Sequence, residues 1–70
     1  MSARSENEAS LTKRESEVLK QITFGLTNKE IGREMHYSVG TVKNIVQRTI
    51  EKLGVTDRTQ AAVLAVRAGL

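Results

Sequence analysis

The stretch from residue 27 to 54, "TNKEIGREMHYSVGTVKNIVQRTIEKLG", carries two helical patterns with almost nothing between them. The first opens on "TNKE" at 27 to 30, a capping box: Thr27 can accept from the amide of Glu30, and Glu30 can reach back to the amide of Thr27. Ile31 and Met35 then stand four apart on the inward side of a short helix. "HYS" breaks the pattern, and Ser38 is suited to cap a second, longer helix. That longer helix has the clearest period in the chain. Val42, Ile45, Val46, Thr49, Ile50 and Leu53 form one buried stripe, and Gly54 closes it. A short helix, a tight turn and a longer helix make a helix-turn-helix, whose second member projects from the body at a steep angle. Gly32 costs its helix about 1 kcal/mol relative to alanine. Its presence there points to a second backbone approaching closely.

The flanking segments supply two more helices. "TKRE" at 12 to 15 is another capping box, with Leu11 before it as a possible staple. Val18, Leu19, Ile22 and Leu26 recur at helical spacing, and Gly25 can stop that helix. Asp57, with Gln60 three residues on, can start the last helix, "RTQAAVLAVRA", which runs to Gly69. No segment alternates in the manner of a strand. The expectation is an all-α, compact four-helix domain over 11–70. The polar "MSARSENEAS" of 1–10 has no period and reads as a disordered arm or linker.

Composition narrows the function classes. A chain of 70 residues makes one thin-cored domain. With no cysteine, disulfides and thiolate metal sites are excluded, which suits a cytoplasmic setting. No metal or other cofactor is implied. The longest apolar run, Ala61 to Val66, is far short of the roughly 20 residues a membrane span needs. No charged-then-apolar leader is expected at the start. The net charge is +3, with −1 on the first ten residues and +4 on the remaining 60, which permits nucleic-acid binding without demanding it. One tyrosine and one phenylalanine are too few for a base-stacking sheet or single-strand barrel. One histidine, His36 at the turn, and one aspartate cannot assemble a nucleophile, base and orienting acid. There is no phosphate-binding glycine loop either, so an enzyme is not expected.

The outer face of the third helix holds Lys43, Asn44, Gln47, Arg48, Glu51 and Lys52. Polar residues on an outer face are by themselves an ordinary solvated surface, and Glu51 and Lys52 are read as no more than that. Helix brevity, the tight turn, the small residue at the packing point and the chemistry of the strip together favour DNA. Lysine can donate to guanine, while asparagine and glutamine can pair bidentately with adenine. Lys43, Asn44 and Gln47 are therefore the candidate base readers in the major groove. Thr27, Asn28, Lys29, Ser38, Thr41 and Arg48 are candidate phosphate contacts, aided by the free amides at two helix starts.

The segments "LTKRESEVL", "GLTNKEIGREM", "GTVKN", "EKLGV" and "DRTQAAVLAVRAGL" give residues 11–70 a resemblance to the DNA-binding domain of the LuxR/GerE family, also found in NarL/FixJ-type response regulators. The resemblance implies a four-helix domain whose third helix reads double-stranded DNA and whose fourth pairs two domains. It puts Lys43 and Asn44 where the family makes base and backbone contacts. Two positions depart from it. Ile45 stands where many members carry histidine, which implies a packing change. Gly40 stands where many carry lysine or another polar residue, which removes a possible phosphate contact and loosens the helix start.

The fourth helix is apolar nearly all round. Ala61, Leu64, Ala65 and Ala68 are expected to face the core, leaving Thr59, Val63 and Val66 exposed. The family resemblance implies a homodimer through this second stripe, and because the stripe is small, a weak dimer formed mainly on DNA is expected. RNA polymerase is a further candidate partner. A region-4-like sigma-factor domain would use the same motif without the dimer, and a helical protein–protein adaptor would show no salt-dependent DNA affinity.

Overall fold

The computed structural model describes residues 10–70, so the arm expected over 1–10 lies, apart from Ser10, outside the described residues. Four helices make up the described part: α1 (Lys13–Thr23), α2 (Asn28–Met35), α3 (Val39–Leu53) and α4 (Arg58–Arg67). No strand occurs among the described residues. The architecture is the all-α, four-helix arrangement the periodicities predict.

Each helix begins where local hydrogen bonding dictates. Both capping boxes form: Thr12 with Glu15, and Thr27 with Glu30. The Ser38 hydroxyl accepts from the Thr41 amide at 3.1 Å and caps α3. Asp57 accepts from the Gln60 amide at 2.9 Å and caps α4. Gln60 reaches further back than a capping box requires, accepting from both the amide and the hydroxyl of Thr56.

α1 packs on α3 and α4, and α2 packs on α3. The main core joins Val18 and Ile22 of α1, Ile31 of α2, and Val42, Ile45 and Val46 of α3. Met35 and Tyr37 pack on its edge at the turn. Each fully buried aliphatic side chain here contributes about 1.5–3 kcal/mol. A second cluster seats α4: Ala61 and Ala65 lie against Leu19, with Leu11, Ile50, Leu53 and Val55 around them. Small alanines let α4 approach closely, at the cost of little buried area.

The expected inward stripe of α4 needs correction. Ala61 and Ala65 are buried, but Leu64 is 40% exposed and Ala68 is exposed. The contact side of α4 is centred on Ala61 and Ala65 and extends toward Arg58 and Ala62, both half-buried. Leu64 lies on the opposite flank of that contact from Arg58 and Ala62, about 100° round the helix from Ala65.

Among the described residues no helix is long and apolar enough to cross a membrane, and no cluster of acidic or histidine side chains could hold a metal ion.

Candidate nucleic-acid interface

Three residues, His36, Tyr37 and Ser38, join α2 to α3. His36 takes a left-handed conformation, φ 61° and ψ 40°. The amides of His36 and Tyr37 both donate to the Gly32 carbonyl, the latter at 2.8 Å. This turn lies directly over Gly32. A Cβ built there would sit 2.6 Å from the Tyr37 carbonyl oxygen and 3.6 Å from a Val42 methyl. The close backbone approach expected at Gly32 is present, and it sets how tightly α3 can swing back on α2.

Ile45, read from the sequence as a packing position, is buried in the main core. With Val42, Val46 and Thr49 it makes the packed side of α3. The buried Thr49 hydroxyl is satisfied by the Ile45 carbonyl at 2.8 Å. Lys43, Asn44, Gln47, Arg48 and Glu51 are all exposed on the other side. Gln47 leans toward Glu51, its amide nitrogen 3.4 Å from the carboxylate.

The phosphate candidates fall into two groups. Thr27 and Lys29 are exposed at the start of α2, with Asn28 half-buried between them. The Thr27–Glu30 box leaves the amides of Asn28 and Lys29 without an intrahelical partner. It also holds the Glu30 carboxyl below its usual value, through the amide and then the hydroxyl of Thr27. Ser38, Thr41 and Arg48 form the second group, on α3. The Ser38 hydroxyl donates to the Thr41 hydroxyl at 2.9 Å, which aligns both at the helix start.

Two long-range contacts that hold these groups in place escape a sequence reading. Arg58 donates to the Asn28 side-chain oxygen and, at 2.6 Å, to the Leu26 carbonyl, so the start of α4 clamps the start of α2. The Asn28 oxygen is thereby engaged inside the domain. Lys52, expected to be plain solvated surface, instead donates at 2.9 Å to Glu15, which is only 3% exposed. It also donates to the Ser10 carbonyl at 3.2 Å. Burial pushes the Glu15 carboxyl up. The Lys52 hydrogen bond, the Thr12 amide and the Lys52 charge outweigh that, so it lies below its ordinary value. This bridge pins the far end of α3 to the start of α1.

Beside the bridge, an open groove of about 530 Å³ runs between α1 and α3. Thr12, Lys13, Arg14 and Glu15 line one side, and Thr41, Asn44, Ile45 and Arg48 the other. The basic residues from α1 carry no motif signal that a sequence reading isolates. Only the packing of α1 on α3 brings them beside the exposed face of α3. On α4, Thr59, Val63 and Val66 are exposed, and Val63 and Val66 border a shallow apolar depression with Ala62 and Arg67.

Residues 9–65 match the family model for bacterial regulatory proteins of the luxR family, GerE. The chain belongs to the luxR family. Among its relatives it is similar to the transcriptional regulatory protein LnrK of Bacillus subtilis (strain 168), 53% identical over 60 residues, covering 86% of this chain and 27% of LnrK. It is also similar to LiaR of the same organism, 55% identical over 58 residues, covering 83% of this chain and 28% of LiaR. The response regulator protein VraR of Staphylococcus aureus (strain NCTC 8325 / PS 47) is 41% identical over all 70 residues, which span 34% of VraR. The chain thus spans between a quarter and about a third of the length of these relatives. The luxR-family match and the response-regulator relatives support DNA binding and transcription regulation as its role.

Proposed function

We propose that this luxR-family domain binds double-stranded DNA sequence-specifically as a homodimer, with α3 in the major groove of each half-site. The observation that carries the reading is the division of α3 into two faces. Val42, Ile45, Val46 and Thr49 anchor one side in the core, and Lys43, Asn44 and Gln47 are exposed on the other. A helix rigidly held from behind, with amine and amide groups exposed in front, has what major-groove readout requires. Lys43, Asn44 and Gln47 read base edges. Thr27, Lys29, Ser38, Thr41 and Arg48 hold phosphates, and Asn28 contributes its backbone amide rather than its engaged side-chain oxygen. The exposed Thr59, Val63 and Val66 pair two copies about a twofold axis.

Selection of bound duplexes from a random library tests this directly, and inverted repeats should be enriched. Lys43→Ala and Asn44→Ala should each cost about 1–3 kcal/mol on the selected site and relax preference at one position, with helical content intact. Unchanged preference in both variants would refute the base-reading assignment. Enrichment of no sequence would refute specific binding.

A further inference from the structure

The groove between α1 and α3 holds more charge than the helix-turn-helix alone provides. Lys13 and Arg14 enter it from α1, and Arg48 from α3. All three are exposed, and among the described residues none has a carboxylate within ion-pair distance. Glu15 also borders the groove, but its carboxylate is buried against Lys52 and the Thr12 amide, so little negative charge faces the opening. Thr41 and Asn44 add neutral polar groups along the α3 side.

Arg14 is also restrained. Its guanidinium carbon lies 5.4 Å from the centre of the Tyr37 ring, within range of a cation–π contact. Tyr37 itself is packed on the main core. An exposed arginine normally gives up side-chain entropy when it binds, and a ring face that already restrains it lowers that cost. An open cleft with exposed cations on both sides, one of them pre-positioned, suits the evenly spaced charges of a phosphodiester backbone better than a small ligand.

We propose that Lys13, Arg14 and Arg48 form a trough for the DNA backbone along the α1 flank of α3, with Tyr37 as the positioning residue for Arg14. The proposal rests on the reading of the domain as a DNA binder and extends the contact surface beyond the helix-turn-helix to α1. The trough touches backbone only, so it adds affinity without adding sequence preference.

The test is a salt titration of the whole chain against its selected duplex and a scrambled one. In the Lys13→Ala/Arg14→Ala double variant, the slope of log affinity against log salt should fall by about 2, with affinity lost on both duplexes and site preference unchanged. Tyr37→Leu should lower affinity about two- to fivefold on both duplexes with the slope nearly unchanged, because the Arg14 charge remains, and Tyr37→Phe should restore the affinity, because either ring offers the same face to Arg14. If Tyr37→Leu disturbs the core, the double variant decides alone, since both its side chains are exposed. An unaltered slope in the double variant, with the unaltered chain binding normally, would overturn the trough and leave DNA binding standing. Failure of the unaltered chain to bind any duplex even in dilute salt would overturn both.

Discussion

Two glycines in the helix-turn-helix have opposite physical meanings. Gly32 sits under the turn, where a methyl group would meet the Tyr37 carbonyl oxygen at 2.6 Å. That oxygen belongs to backbone held by its own hydrogen bonds, so it cannot step aside cheaply. Gly32→Ala should therefore destabilise the domain by about 1–3 kcal/mol in chemical denaturation, despite alanine's better helix propensity. Gly40 faces open space, its nearest neighbour being the Ser38 hydroxyl at 3.9 Å. Gly40→Ala should stabilise by about 0.5–1 kcal/mol, because it restricts the unfolded chain and adds no clash. The same sign for both substitutions would contradict this account. Residue type alone makes Gly32 legible, since glycine in a helix needs a reason. It cannot flag His36, whose left-handed backbone costs about 1–2 kcal/mol. That conformation is imposed by the packing of two helices on either side of it.

At the scale of elements, what the sequence makes readable is local. The four caps and the apolar stripes of α1, α2 and α3 depend on residues within about one turn of each other, so their spacing shows in the sequence. The stripe on α4 is misjudged from sequence because its apolar residues run nearly all round, and only the neighbouring helices decide which side is covered. The contacts that aim α3 are hidden for a related reason. Lys52 meets Glu15 across 37 positions, and Arg58 meets Asn28 and Leu26 across 30 and 32. The Lys52–Glu15 bridge makes a pH-dependent prediction. The folded carboxyl lies below its ordinary value of 4.5, so its contribution is fully present above that pH and is lost as pH falls through the folded value. Lys52→Met strands a buried carboxylate and should cost about 2 kcal/mol at neutral pH. The penalty should shrink in acid, where Glu15 protonates in the variant first. Urea midpoints of both proteins at pH 7 and in mild acid check this, and a gap that stays constant across that range would assign the loss to packing of the lysine stem.

The whole molecule poses a question of assembly. α4 is fastened to the body by Ala61 and Ala65 and by Arg58 at its start, while Val63 and Val66 are 46% and 62% exposed. A patch of two valines and a threonine is too small to supply the roughly 1,200–2,000 Å² of a stable interface. In the proposed homodimer, DNA must then do most of the pairing. Two half-sites about one helical turn apart bring two copies together at high effective concentration, and a weak contact suffices. A twofold contact sets a residue near the axis against its own copy, so a single charge substitution introduces two like charges. Val63→Glu should leave the fold intact, because the side chain is exposed. It should lower affinity for a paired site by about tenfold, or about 1.4 kcal/mol, with half-site affinity nearly unchanged. A new glutamate could also repel phosphates directly, and Val63→Lys separates the two effects. Lysine sets like charges against each other across the axis but attracts DNA, so paired-site cooperativity should fall for both variants. If only the glutamate variant loses affinity, and loses it equally on both kinds of site, then α4 meets DNA at this position and is not the dimer face.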